Sequence, residues 1–453
     1  MSFGGMGPGP SSATVAVQKF SEVLVYPIRQ RSERSRLALT LFRPAVVLVA
    51  ALTVVACGGT PVALDTLDDP APTISPDQST PNPGHTLTLD SEILGETRRV
   101  YVQLPGGYAD SPAHYPVLVV LDGEWLYGLA QAHVRFHSEY NAMDPSIPKM
   151  IVVGIEGTDR DRDFTPTENS GWEHEFATAG GADDFLRFLD QELLPLIDQK
   201  YRTLPGRTIA GWSFGGLMAM YSAVATPDLF DSHLCISPAI WWDGDLVFDL
   251  FADPHFDRPK RMVVTLGTGE EGGMVHTSTK KIVERFSNDP IDNLEVSLIE
   301  FEGVGHSWGI PAAFDKGLRG IFTGFVASEE HTGSLEEVDA YYRDLSQTWG
   351  YPVKPPADVM LQLAMAQDDK RQAIAIIERL LAYEPGNSLA HFYRGRLQQK
   401  LELNDEALES FYEALEAELR MEPPNGLQLR WYSESIEELR EIQSSAGPPD
   451  EEV

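Results

Sequence analysis

An α/β architecture with a mostly parallel sheet, followed by an all-helical region, is what this sequence predicts, and three observations carry that expectation. From Thr86 to about Ala327, short β-type runs alternate with helical patterns. Several of the runs, such as Val117-Leu118-Val119-Val120, are continuous rather than alternating, as suits strands covered on both faces. After about Thr332 the strand-like runs stop, and 24 acidic residues stand against 11 basic ones through Val453.

The chain opens on a leader. Lys19, Arg29, Arg31, Arg34, Arg36 and Arg43 precede an apolar run from Ala45 to Ala56 that ends at Cys57-Gly58, the layout of a secretory signal. The run falls short of the about 20 apolar residues that a membrane span needs. Val54-Val55-Ala56-Cys57 resembles the lipobox of bacterial lipoproteins, which makes residues 1–57 a signal peptide and Cys57 the expected site of lipidation. The resulting location is the bacterial cell envelope, with membrane contact through the lipid alone. The stretch before Arg29 is longer than such a leader needs. Residues 58–84 are rich in Pro, Asp, Ser and Thr, with few large apolar side chains, and read as a tether.

The α/β domain is expected over residues 85–330. Its strand candidates are Arg98–Leu104, Tyr115–Leu121, Met150–Ile155, Thr208–Ala210, His233–Ile236, Arg261–Leu266 and Leu294–Phe301. Helical patterns fall between them at Ala182–Ile197, Gly216–Val224, Thr277–Phe286 and Pro311–Phe325. A helical domain is expected over 333–445, with an acidic tail over 446–453. Within it Ala373, Ile374, Ile377 and Leu381 recur as Ala407, Leu408, Phe411 and Leu415, a constant offset of 34 residues. That is the tetratricopeptide period, so the region is a candidate surface for a protein partner.

Composition narrows the function. With 68 Asp and Glu against 35 Lys and Arg the formal net charge is −33, which argues against a nucleic-acid partner. Cys235 is the only cysteine besides Cys57, so neither an internal disulfide nor a cysteine metal site is expected. No cofactor or metal is predicted.

The chemistry is concentrated in Gly211-Trp212-Ser213-Phe214-Gly215, which matches the pattern G-x-S-x-G. A hydrolase nucleophile must stand clear of the backbone, and a strand turning sharply into a helix achieves this. The apolar pair Ile209-Ala210 before the motif and Leu217-Met218-Ala219 after it supply that setting, so Ser213 is the candidate nucleophile. A serine hydroxyl also needs a base, and in this fold the chain order is Ser, acid, His. His306 follows the last predicted strand in a glycine-bearing loop, Glu302-Gly303-Val304-Gly305-His306, and is the candidate base. The acid is sought in Gly267-Thr268-Gly269-Glu270-Glu271: Glu270 is the first choice, Glu271 the alternative, and Asp243 and Asp245 a weaker source. Oxyanion donors are expected from the backbone amide of Phe214 and from the loop Leu121-Asp122-Gly123-Glu124, through Gly123 and Glu124.

From about Thr86 to Phe325 the chain resembles the esterase D and enterochelin-esterase-like branch of the α/β hydrolases. The resemblance rests on Tyr115-Pro116-Val117-Leu118 leading into Leu121-Asp122-Gly123-Glu124, on Arg160-Asp161-Arg162-Asp163-Phe164-Thr165-Pro166, on the Gly211–Gly215 motif, on Ser237-Pro238-Ala239-Ile240-Trp241-Trp242 and on Gly305-His306. It implies a metal-free serine esterase acting through Ser213, Glu270 and His306, with Glu124 and Phe214 as amide donors, on siderophore-like or other small esters. Val338 to Pro355 is similar to the tail that joins such esterases to tetratricopeptide-like helices, whereas the leader departs from cytoplasmic members. Trp241, Trp242 and Arg162 are candidate substrate contacts. Two other functions fit the same chain: a partner-binding lipoprotein whose hydrolase domain is silent, and an acyltransferase.

Overall fold

Eight strands build the sheet: β1 (His85–Ser91), β2 (Glu96–Gln103), β3 (Tyr115–Val120), β4 (Ile151–Ile155), β5 (Thr203–Trp212), β6 (Ser232–Ile236), β7 (Lys260–Gly267) and β8 (Leu294–Phe301). They lie in the order β1-β2-β4-β3-β5-β6-β7-β8. The β1–β2 and β2–β4 joins are antiparallel and the other five parallel. All seven predicted strands are present. The edge strand β1, whose His-Thr-Leu-Thr-Leu pattern follows directly on the proline-rich tether, was not among them. Val117, Leu118, Val119 and Val120 are fully buried at the centre, as their continuous apolar run requires. The computed structural model describes residues 84–140, 145–168, 175–244, 246–421 and 424–445. The leader, Cys57, nearly all of the tether, Asp245 and the acidic tail lie outside the described residues.

The helices follow in chain order. They are α1 (Gly123–Arg135), α2 (Arg160–Phe164), α3 (Ala182–Phe188), α4 (Leu194–Lys200), α5 (Phe214–Ala225), α6 (Leu246–Leu250), α7 (Met274–Asn288) and α8 (Ile310–Ile321). The single helix expected over 182–197 is divided between α3 and α4 by a π turn at Leu189–Leu193. Helix α1 has no counterpart in the sequence prediction, because Gly123 and Gly128 interrupt an otherwise mixed aromatic and polar stretch. Its start is set by tertiary contact: a Cβ on Gly123 would stand 2.7 Å from the Ile155 backbone nitrogen, so only glycine lets the helix begin against β4.

Helices alone follow: α9 (Leu335–Trp349), α10 (Ala357–Ala366), α11 (Lys370–Leu381), α12 (Ser388–Lys400), α13 (Asn404–Leu419) and α14 (Gly426–Ser445). Short connections make consecutive helices antiparallel neighbours. The 34-residue offset is visible in their burial. Ala373 and Ala407 are fully buried, as are Ile377 and Phe411, while Ile374 and Leu408 are both half-buried. Helix α13 is the longer of the pair, 16 residues against 12 in α11.

The helical region meets the amino ends of the strands. His114 and Tyr115 at the start of β3, and Leu204 at the start of β5, line a cavity of about 620 Å³ together with Val353, Tyr383 and Glu384. Lys149 Nζ reaches Glu384 Oε2 across it at 2.9 Å. Burial works against the charge on each partner. The Lys149 ammonium outweighs it and holds the Glu384 carboxyl below the ordinary range, and Glu384 in turn raises Lys149. A substitution at either end leaves the other charge without its partner and is expected to lower the unfolding midpoint.

His233 sits on β6 beneath α5, fully buried, with Nδ1 2.9 Å from the Ala219 carbonyl. Burial first, and the Lys260 charge second, push its pKa down from 6.5 to about 3, so the native ring is neutral. An unfolded histidine takes up its proton near pH 6.5, the native one only near 3. Between those values the unfolded state binds the extra proton, and this group removes about 1.4 kcal/mol of stability for each unit the pH falls. Urea unfolding midpoints are therefore expected to drop from pH 7 to pH 4.5, and less steeply for His233→Gln. An equal slope in the two proteins would assign the acid sensitivity elsewhere.

Candidate active site

Five strands deliver their carboxyl ends to one edge of the sheet: β3 into Asp122, β5 into Ser213, β6 into Ser237, β7 into Glu270 and β8 into His306. The chain passes from β3 outward to β4 and returns across it to β5, so the loops after β3 and β5 flank the point where the strand order reverses. Open α/β sheets bind their ligands at that point.

The turn after β5 is sharp because its backbone allows it to be. Ser213 has φ 59° and ψ −114°, and α5 begins at the next residue. A Cβ on Gly211 would lie 2.2 Å from the Gly215 carbonyl oxygen, which makes glycine obligatory there. Gly215 itself has ordinary contact distances, and the second crowded position is Gly216, 3.0 Å from the Ile236 carbonyl. The motif's closing glycine is thus less constrained than the residue after it. Leu217 N and Ala239 N both donate to the Ser213 carbonyl and fix the turn.

His306 and Glu270 come together. His306 Nδ1 lies 2.7 Å from Glu270 Oε2, and the other carboxylate oxygen accepts from Ser237 Oγ at 2.9 Å. The carboxylate assigns the ring proton to Nδ1 and leaves Nε2 as the basic nitrogen. Trp212, immediately before Ser213, donates from Nε1 to the His306 carbonyl at 3.1 Å, and its ring lies 5.0 Å from the imidazole. This places His306 beside the serine turn. Ser213 Oγ and His306 share no hydrogen bond among the described residues, and such bonds tighten when substrate binds. Glu271, the alternative acid, is exposed to solvent, and Asp243 accepts from Thr167 Oγ1 instead.

The candidate oxyanion donors are the amides at two helix N-termini, where the first N–H groups have no intrahelical partner. Phe214 opens α5; Gly123 and Glu124 open α1. Their loops touch, since a Cβ on Gly215 would meet Asp122 Oδ2 at 3.4 Å and Leu121 Cβ at 3.5 Å. Arg160 holds the two loops together. Its guanidinium binds the fully buried Asp122 carboxylate through two contacts of 3.0 Å and reaches the Trp212 carbonyl at 3.4 Å. The rings of Trp125, Phe164, Trp212 and Phe214 surround the guanidinium carbon at 5.6–6.0 Å. The Glu124 carboxylate is turned aside and accepts from Gly157 N at 2.8 Å.

The three candidate substrate contacts separate. Trp242 is fully buried, packs on Phe176 and Phe214 and donates to Thr167 Oγ1, so it belongs to the core under the site. Arg162 is likewise engaged within the protein: its nitrogens meet both Glu96 oxygens and Asp163, in a network that includes the buried Arg98. Of the three neighbouring aspartates only Asp163 pairs with the Arg162 guanidinium, the rest of which Glu96 takes, so the ion-pair role wins. Trp241 is half-buried, 5.9 Å from the Phe214 ring, and remains at the site. Sequence reasoning missed Trp308, two residues past His306 and 86% exposed, and Trp125, 61% exposed over Arg160. The signal available was a tryptophan in each of the two site loops. Ser237 and Arg160 open two of the stretches that carry the family resemblance, but their positioning contacts are visible only in the structure.

A family described as putative esterase matches residues 91–294, a span that includes Ser213 and Glu270 and stops before His306. The ferri-bacillibactin esterase BesA of Bacillus subtilis is 29% identical over 253 residues, covering 51% of this chain and 86% of that protein. The iron(III) enterobactin esterase of Escherichia coli is 29% identical over 198 residues, covering 41% of this chain and 44% of its own length. Among solved structures, an IroE-like serine hydrolase from Shewanella oneidensis superposes with a TM-score of 0.58 at 28% identity, over 66% of this chain and 98% of that one. An uncharacterised protein from Capnocytophaga ochracea shares the fold at 17% identity and a TM-score of 0.52, over 79% of this chain and 99% of its own.

Proposed function

We propose that this chain is an esterase of the α/β-hydrolase type, the putative-esterase family model matching its residues 91–294, and that it cleaves small carboxylic esters through a serine, histidine and glutamate triad. His306 Nε2 takes the proton of Ser213 as the hydroxyl attacks the ester carbonyl. The amides of Phe214 and of Gly123 or Glu124 hold the oxyanion, the alcohol leaves with the proton from His306, and water resolves the acyl-enzyme by the same steps in reverse. The observation that carries this reading is the relay Ser237 Oγ to Glu270 to His306 Nδ1, with both links at 2.9 Å or less, beside a serine held at the tip of a strand-to-helix turn.

The substrate class follows from the rim. Trp241, Trp125 and Trp308 offer exposed or half-exposed aromatic faces around the turn, and Met274 beyond Glu270 is 57% exposed. Such a rim suits an ester with a flat aromatic acyl group, consistent with a siderophore-like substrate. A fluorophosphonate probe tests the mechanism: covalent label is expected on Ser213, none on Ser213→Ala. A native protein that takes no label would favour the silent hydrolase domain, and ester products formed with added alcohols would favour acyl transfer.

The leader adds a location. Basic residues, the apolar run from Ala45 and Cys57 in its lipobox-like setting support a lipid-anchored protein of the bacterial cell envelope. Metabolic labelling with an alkynyl fatty acid in a bacterial host is expected to mark the wild type and to leave Cys57→Ala unmarked. Helices α11 and α13, with matched burial at three of the four positions paired by the 34-residue offset, support a tetratricopeptide-like surface for a protein partner.

A further inference from the structure

We propose that His133, His137 and Asp315 form a binding site for a zinc-class divalent transition metal, bracing α1 against α8. The sequence prediction of a metal-free protein does not anticipate it, since the carboxylate lies far along the chain from the two histidines. One ligand atom from each of the three residues falls within 4.8 Å of the other two. His137 Nε2 is already 2.8 Å from Asp315 Oδ1, and the two imidazoles lie nearly parallel, at 15°, with centroids 6.2 Å apart.

The local structure builds the cluster. His133 lies in the last turn of α1 and His137 in the π turn Phe136–Tyr140 that continues it, so the i,i+4 pair shares one face. π turns inside helices recur at functional positions. Asp315 lies on α8, which packs directly on α1. The far nitrogen of His137, Nδ1, is 3.1 Å from Ser146 Oγ, the outer hydrogen bond that orients a metal-bound histidine. The edge of Phe136 backs the His137 ring at 5.2 Å, and His137 is buried while His133 and Asp315 are half-buried.

Two imidazoles and one carboxylate are a borderline donor set. Zinc and its neighbours take it, whereas calcium and magnesium require oxygen alone. Three protein ligands leave a fourth position for water. Ligand atoms of a tetrahedral zinc stand about 3.3 Å apart, given bonds of about 2.0–2.1 Å, so side-chain rotation must draw the widest pair in by up to about 1.5 Å and open the His137–Asp315 pair by about 0.5 Å. A His137–Asp315 ion pair alone would account for one imidazole beside the carboxylate; it leaves the second, stacked imidazole without a purpose. Arg319 also touches Asp315, at 3.2 Å, and is the cation that the ion would have to displace or share the carboxylate with. Helix α1 begins at the oxyanion loop and α8 four residues past His306, so the ion would tie together the helices behind both. It touches no reacting atom, and its role is structural.

The test uses the full-length protein, stripped by chelator and dialysed against zinc, beside the double variant H133A/D315N and the single variant D315N. The wild type is expected to retain one more equivalent of zinc than either variant. Its thermal midpoint should rise on zinc addition by about 3–5 °C, the shift expected near 100-fold saturation, and those of the variants should not. Equal zinc retention, or equal shifts, would overturn the site. Cobalt added to the wild type provides a readout that needs no variant to fold: intense visible bands of a four-coordinate, nitrogen-ligated ion support the site, and a pale six-coordinate spectrum sinks it.

Discussion

Ser213→Ala is expected to lower kcat for ester hydrolysis by about 10⁴–10⁶-fold, while KM stays within a few-fold and the protein remains folded. The size follows from covalency. Without the hydroxyl no acyl-enzyme forms, and only binding and the oxyanion amides remain to act on water. The fold should be indifferent, because the stability of the turn comes from the Ser213 backbone carbonyl, which accepts from Leu217 N and Ala239 N, and alanine retains that carbonyl. Initial rates on a panel of nitrophenyl esters and catecholate lactones read the effect. A variant keeping more than a few per cent of wild-type kcat would remove Ser213 from the mechanism.

Glu270→Ala is expected to cost about 10³–10⁴-fold in kcat, against less than about twofold for Glu271→Ala. Glu270 Oε2 holds the Nδ1 proton of His306 at 2.7 Å, so its loss frees the ring to turn and leaves the developing imidazolium without its counter-charge. Glu271 points to solvent and contacts neither. Glu270→Gln should be milder than alanine. Its amide oxygen can still accept from Nδ1 while the Ser237 hydroxyl, 2.9 Å from the second position, rotates to accept from the amide nitrogen. The wrong histidine tautomer is then avoided and only the charge is missing. Comparable losses at positions 270 and 271 would show that neither carboxylate orients the base.

The difference between these two neighbours marks where sequence reading reaches its limit. The turn that presents Ser213, the candidate nucleophile, is legible because it is encoded locally: an apolar strand, a glycine that admits the turn and a helix-forming run, all within a few residues. His306 and Glu270 are legible because each loop follows a strand in a fixed order, and the strand pattern is strong. Glycine 215, Arg162 and Trp242 read differently in space because neighbours from other elements decide their roles. Gly216 is the more crowded residue, Glu96 takes the Arg162 guanidinium, and Phe176 and Phe214 enclose Trp242. Helix α1 escapes notice for the same reason, since the contact that starts it is with β4. Ser237 and Arg160 act only through partners brought close by the sheet, and residue type gives no hint of that.

The helical region meets the sheet at the amino ends of its strands, whereas every candidate catalytic residue stands at the carboxyl ends. A partner held there would leave the ester site open. Deleting the helices would remove Glu384 and leave Lys149 without its partner, so loss of activity on truncation is expected to reflect instability and to appear as a lowered unfolding midpoint.

On the proposed mechanism, the serine itself carries a cost that selection for catalysis must keep renewing. With φ at 59° and ψ at −114°, Ser213 occupies a backbone region that glycine enters freely and a residue with a side chain enters at about 1–3 kcal/mol. Heat resistance and turnover therefore favour different residues at one codon. In a lineage screened only for folding, this position drifts toward glycine, and the enzyme is lost through an improvement in its scaffold.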